Sequence, residues 1–81
     1  MEENDMLEWL ISTKHMEKRS AKDVISRKSR VLKMLDIYEI GNDTLSQLVL
    51  NKEFTQSTSS VKSQLKRAII LCLEFQNLAE D

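Results

Sequence analysis

Positively charged residues are concentrated in two short stretches of the sequence. Residues 14–33 hold eight basic residues against Glu17 and Asp23, and residues 62–67 hold three against none. The whole chain has a net charge of −1, so the remainder is acidic. Serines precede the basic residues in both stretches, and helix N-termini that combine hydroxyls with positive charge favour phosphate groups. The pattern predicts a phosphate-binding surface, with a merely solvated charged face as the alternative.

Residue types that enzymes need are scarce. His15 is the single histidine, Cys72 the single cysteine and Gly41 the single glycine. A metal site needs several ligands at suitable spacing, a nucleophile needs a neighbouring base, and a phosphate loop needs several glycines. We therefore expect no catalytic residue, no metal site, no cofactor and no small-molecule substrate. Because Cys72 lies in an apolar run, we expect a buried structural thiol.

The composition indicates one small helical domain. A chain of 81 residues can bury a single modest core, so we expect one domain spanning residues 1–81. One glycine and no proline favour helices over strands, and the expected fold class is all-α. The longest apolar run, residues 68–73, is too short to span a bilayer, and the N-terminal MEENDML is acidic rather than signal-like. These features predict no membrane contact and a cytoplasmic location.

The first helix is predicted from its cap and its apolar spacing. Asp5 with Glu8 resembles a capping box, and the helix should run to about Thr13. Trp9 falls off the apolar face, so it either covers the edge of the core, which we favour, or contacts another molecule. The apolar face consists of Met6, Leu7, Leu10 and Ile11.

The second helix combines a core stripe with much of the positive charge. It should begin after Ser20 and run to about Leu35 or Asp36. Lys28 falls near the middle of the apolar stripe, where a lysine is tolerated if its methylenes pack and its ammonium reaches the rim. The stripe consists of Val24, Ile25, Val31, Leu32 and Leu35.

The second half of the chain contains a short helix and a long one. Gly41 is placed to end one element, and Asn42 or Asp43 can cap a third helix that carries Leu45, Leu48 and Val49. Residues 51–60 form a polar linker in which Phe54 anchors to the core. The hydroxyls of residues 57–60 supply the cap of a fourth helix over about residues 59–78. Its core positions should be Val61, Leu65, Ala68, Ile69, Cys72 and Phe75.

The fourth helix is apolar nearly all round in its middle. Ile70, Leu71 and Leu73 extend the apolar surface beyond the core positions. Such a helix is either the central one of a small bundle, which we favour, or leaves part of its surface free for a partner.

The order of these elements resembles the core-binding domain of phage-type tyrosine recombinases, a SAM-like four-helix module. That family opens with a helix of the type F-x-x-WL, continues with a serine-led second helix and a short third helix, and ends with a helix introduced by S-x-S-T. Here MLEWL occupies residues 6–10, Ser20 opens the second helix, and residues 57–75 are the nearest match. Val31 and Met34 fall at later apolar positions of the second helix. The resemblance covers about residues 6–76.

The resemblance implies a small four-helix SAM-like bundle with orthogonally packed helices that grips duplex DNA. In the family, this module and a separate catalytic domain hold opposite sides of the recombination site. The arginines, histidine and tyrosine of that catalytic domain have no counterpart in this chain, so we expect no enzyme activity from it. Asp23 stands where the family usually has threonine and adds negative charge near a phosphate-facing surface. Arg27 replaces the usual tyrosine and adds a donor.

The expected partner is therefore duplex DNA, held mainly through phosphates, together with a catalytic recombinase domain or neighbouring protomers. The alternative is a helical protein-interaction module that docks a partner on Ile70 and Leu73. The expected DNA-binding residues are Arg19, Lys22, Arg27, Lys28 and Arg30 on the second helix and Ser59, Ser60, Lys62, Lys66 and Arg67 on the fourth.

Overall fold

The structure, a computed structural model, describes residues 2–80, with side chains from residue 4 to residue 78. Within this part of the chain all regular structure is helical, which confirms the expected all-α bundle. Five helices follow one another in the order α1 (Glu2–Ser12), α2 (Lys18–Leu35), α3 (Thr44–Leu50), α4 (Lys52–Thr55) and α5 (Ser59–Glu80).

Helices α2 and α5 pack against each other at the centre of the bundle, and each of them also packs against α1 and α3. Four of the core positions predicted on α5 are buried, and Val61 and Phe75 are half-buried against the core. Ile70 is 53% exposed, so the apolar surface of α5 is not fully covered. The buried apolar residues are Met6, Leu10, Ala21, Val24, Val31, Ile40, Leu48, Phe54, Leu65, Ala68, Ile69, Leu71 and Cys72.

Helix α2 begins earlier than its sequence suggests. We expected Ser20 to precede the helix, but α2 starts at Lys18, and Glu17 occupies the N-cap position without a side-chain capping bond. The Ala21 N–H donates to the Glu17 carbonyl at 2.9 Å, so the first turn is already closed before Ser20. Ala21 is fully buried. Packing of this turn therefore outweighs a capping preference of about 1 kcal/mol.

The C-terminus of α2 is stopped by Asp36 rather than by the glycine. Asp36 adopts the left-handed conformation with φ of 55°. The Ile37 N–H donates to the Leu32 carbonyl at 3.0 Å, which satisfies an otherwise free helix end. Aspartate tolerates this conformation better than most residues, so glycine is not required. The expectation that Gly41 ends an element at a glycine-type cap is thus wrong.

The turn before α3 is organised by a threonine. The buried hydroxyl of Thr44 accepts a hydrogen bond from the Gly41 N–H at 2.8 Å. Asp43 occupies the N-cap position of α3, but its carboxylate accepts from the Gln47 side chain instead of a helix N–H. Neither Asn42 nor Asp43 therefore provides the predicted side-chain cap.

The segment expected to be a linker contains the single turn α4. The Asn51 side chain caps this turn by accepting from the Phe54 N–H at 3.1 Å, and its amide donates to the Met34 carbonyl at 3.3 Å. These bonds attach α4 to the end of α2. Phe54 is buried, as predicted. Thr58 then accepts from the Val61 N–H at 3.3 Å, which confirms a hydroxyl cap for α5.

Candidate nucleic-acid interface

The residues expected to bind DNA are all accessible to solvent. Arg27, Lys28 and Lys62 are half-buried, and the other seven are exposed. Among the described residues the one ion pair joins Lys14 to Glu74, so none of the expected DNA-binding side chains is held in an ion pair. Their charges remain available to an outside partner.

The structure brings four of these residues together in two regions. Arg67 and Lys66 are neighbours in sequence, but successive helical residues point about 100° apart. Arg67 lies beside α2, whereas Lys66 and Lys62 lie beside α4. Arg67, which we expected to act together with Lys62 and Lys66, therefore lies with Arg27 of α2 instead.

The first region, which we call the groove region, is a hollow of about 620 Å³ between α2, α5 and the α1–α2 connection. Arg27 from α2 and Arg67 from α5 both line it, with Ser20 at the α2 wall. Met16, Val24 and Ala68 supply apolar lining, and His15 and Gln64 add polar groups. Two helices thus bring their guanidinium groups to one hollow.

Two carboxylates also line the groove region. Glu17 and Asp23 stand with the arginines around the same hollow. Asp23 and Arg27 are four residues apart on α2, a spacing that favours an ion pair, yet their charged groups do not come within the 4.0 Å of an ion pair. The groove therefore presents free charges of both signs. Sequence reasoning treated Asp23 only as an isolated opposing charge and missed this grouping.

The second region, which we call the Phe54 region, consists of Phe54 and two lysines of α5 that lie near its ring. The ammonium groups of Lys62 and Lys66 each lie 6.0 Å from the centroid of the Phe54 ring. This distance is at the outer limit of a cation–π contact. The ring itself is buried in the core, and both lysines approach it. The i and i+4 spacing of the lysines was visible in the sequence, but their shared ring was not.

The remaining basic residues of α2 lie elsewhere. Arg30 lines a smaller hollow of about 390 Å³ together with Lys33 and Glu53. Arg19 and Lys22 are exposed and line neither hollow, and Ser59 and Ser60 form the exposed first turn of α5.

Lys28 is half-buried, and its charge acts on a thiol in the core. Burial raises the pKa of the Cys72 thiol from 9.0 to about 11, and the positive charge of Lys28 partly opposes this rise. The Cys72 sulfur lies 3.9 Å from the Met6 sulfur. Cys72 is therefore a buried, protonated thiol at neutral pH, as predicted for a structural cysteine.

Trp9 covers an edge of the core, as favoured from the sequence. Its ring packs against Phe75 with centroids 5.4 Å apart, and the Lys14 ammonium lies 5.5 Å from the Trp9 centroid. The indole Nε1 is buried without a hydrogen-bond partner. Contacts within the chain therefore explain the positions of Trp9 and Lys14, and no partner molecule is needed to explain them.

Among the described residues, no helix combines the length and apolarity required to cross a membrane. No group of three histidine, cysteine, aspartate or glutamate side chains in that part of the chain could hold a metal ion. The chain matches no protein-family model, no curated protein and no solved structure.

Proposed function

We propose that this chain is a DNA-binding module that grips duplex DNA through the basic residues of α2 and α5 and has no catalytic activity of its own. The observation that carries the proposal is the availability of charge. All ten expected contact residues are accessible, and none is engaged in an ion pair within the described chain. Unpaired Lys and Arg can replace the counterions that surround DNA phosphates.

The distribution of charge supports a polyanion as the partner. Helix α2 carries seven basic residues against the single acidic residue Asp23. The first half of α5 adds three basic residues without an acid. A net charge of −1 for the whole chain argues against uniform attraction, so binding depends on orienting these helices toward the duplex.

The resemblance to the recombinase core-binding domain gives the proposal its biological setting. In that setting the chain would work in the cytoplasm beside a catalytic recombinase domain or neighbouring protomers. The DNA proposal does not depend on this setting, because it follows from charge and accessibility alone.

One observation favours a second candidate function, docking of a helical partner protein. Ile70 is 53% exposed in the middle of α5, and Leu73 beside it is half-buried. An exposed isoleucine on the central helix of a small bundle is compatible with a protein interface.

A pair of variants separates the two functions. Binding to a fluorescently labelled duplex is measured by anisotropy for wild type, for the double variant Lys62→Glu/Lys66→Glu and for Ile70→Asp. The DNA proposal predicts that the charge reversal abolishes binding while Ile70→Asp retains it, since Ile70 is exposed and outside both basic regions. Retained binding after charge reversal would contradict the assignment of these lysines. Wild-type protein that binds no duplex would overturn the proposal itself.

A further inference from the structure

The groove region is poorly suited to binding phosphate groups alone. Asp23 and Glu17 line the same hollow as Arg27 and Arg67, and each carboxylate repels a phosphate that approaches the arginines. In the Phe54 region, Lys62 and Lys66 lie near an aromatic ring, and neither forms an ion pair with the neighbouring Glu53 in the described chain. The two regions therefore suit different parts of a nucleic acid.

The edges of DNA bases present both hydrogen-bond acceptors and donors, which the arginines and carboxylates of the groove region complement. In the major groove, guanine offers two acceptors that suit an arginine, and cytosine offers an amino donor that suits a carboxylate. A surface with free guanidinium and free carboxylate groups can contact a guanine in one base pair and a cytosine in a neighbouring one. Adenine and thymine each offer a single acceptor at this edge, so neither binds both donors of an arginine as guanine does, although the adenine amino group also donates to a carboxylate.

The geometry of α2 places these groups for such contacts. Asp23 and Arg27 are one helical turn apart on the same face, separated by about 6 Å along the axis, which spans about two base-pair steps. Asp23 is exposed and Arg27 is half-buried. Because no ion pair holds them together in the described chain, both side chains can turn to a ligand. The major groove is wide enough to admit a helix.

We infer that the groove region contacts base edges and gives the module a preference for G·C pairs, with Asp23 accepting from a cytosine amino group and Arg27 donating to guanine. This inference rests on the proposed DNA-binding function. Lys62 and Lys66 then hold phosphates beside it, with no sequence preference. The carboxylate that weakens phosphate binding becomes the residue that rejects the wrong base.

The test uses a pool of duplexes with a randomised central segment, from which the bound fraction is sequenced. Wild type is compared with Asp23→Asn and with Asp36→Asn, which removes the same charge from an exposed residue at the other end of α2. Asparagine tolerates the left-handed conformation of Asp36, so this control should keep its fold. A third variant, Arg27→Lys, keeps the positive charge and removes the paired donors of arginine.

The inference predicts that wild type and Asp36→Asn enrich the same motif with a G·C pair. In Asp23→Asn and in Arg27→Lys the preference at that position should fall by roughly 5- to 150-fold, the usual discrimination of one good base contact. An unenriched bound pool, or a motif unchanged in Asp23→Asn, would overturn the inference while leaving DNA binding intact. If wild type retains no duplex at all, the proposed function fails as well.

Discussion

The two basic regions of this molecule differ in what surrounds the positive charge. In the groove region, Arg27 and Arg67 stand among carboxylates around a hollow with apolar lining. In the Phe54 region, Lys62 and Lys66 stand over an aromatic ring. Arginine offers directed pairs of donors, whereas lysine is a mobile point charge. The difference indicates that counting basic residues along a helix does not define a binding surface, because their neighbours decide which part of a ligand they suit.

The largest effect on stability is expected from substitution of Phe54, whose ring lies next to the two lysines. Phe54 is 3% exposed, so Phe54→Ala removes a buried aromatic side chain and should lower the free energy of unfolding by about 3 to 5 kcal/mol. Urea denaturation followed by circular dichroism measures this loss.

A milder variant keeps the test informative if Phe54→Ala does not fold. Phe54→Leu retains most of the apolar volume and should cost only about 1 to 2 kcal/mol. Both lysines keep their charge, so the dependence of duplex binding on salt should not change. If Phe54→Leu weakens duplex binding as much as loss of both lysines, the ring itself contacts DNA and the Phe54 region is more than a phosphate clamp.

Lys28 belongs to neither basic region, because its charge acts on the buried Cys72 thiol. The dependence of the unfolding free energy on pH tests this role of Lys28. The folded-state pKa of Cys72, about 11, lies above its ordinary value of 9.0. Stability from the buried, protonated thiol is therefore fully present below pH 9.0 and is lost as pH rises through about 11. Across this window, wild type should lose up to about 3 kcal/mol more unfolding free energy than Cys72→Ala does.

The Lys28→Met variant checks the cause. Because Lys28 lowers the pKa of Cys72, its removal should move the loss of stability to still higher pH. Thiolate absorbance during a pH titration gives the pKa directly. An unchanged thiol pKa in Lys28→Met would show that the lysine does not act on Cys72.

Single alanine substitutions compare how much each of the two regions contributes to the affinity for duplex DNA. Arg27→Ala should cost about 1 to 3 kcal/mol on G·C-containing duplexes and less on others. Lys62→Ala should weaken binding to all duplexes alike and reduce the salt slope by about 1. Titrations of both variants with matched G·C-rich and A·T-rich duplexes measure these effects. Equal sequence dependence in the two variants would remove the distinction between the regions.

The smallest effect should come from substitution of Lys14, which already contacts other side chains of the protein. Lys14 pairs with Glu74 and lies over the Trp9 ring, and both charged side chains remain partly exposed. Lys14→Ala should therefore lower the unfolding free energy by about 1 kcal/mol or less. Its duplex affinity should equal that of wild type, because an engaged lysine contributes no free charge. A clear loss of affinity would show that engagement with Glu74 does not exclude Lys14 from binding.

Much of the fold follows from local sequence signals. The end of α1, the start of α5 and the anchoring by Phe54 agree with the sequence predictions because caps and apolar spacing act over one or two turns. The start of α2 does not, since burial of Ala21 outweighs the capping preference of Ser20. The single turn α4 depends on a bond from Asn51 to Met34, a contact between residues distant in sequence.

The candidate site was predictable in its residue types but not in its arrangement. Exposure of the basic residues follows from the helical wheel. The division between the two regions requires knowing that Arg67 faces α2 while Lys66 faces Phe54, which only tertiary packing determines. The one available hint for the groove region was the four-residue spacing of Asp23 and Arg27.

The most direct measurement of the central claim is the affinity of the wild-type chain for duplex DNA as salt concentration is varied. If about five of the accessible basic side chains neutralise phosphates, log affinity should fall against log salt with a slope of about −4.5. The Lys62→Ala/Lys66→Ala variant should reduce the magnitude of that slope by about 1.8. Binding that is absent, or that does not change with salt, would contradict the account.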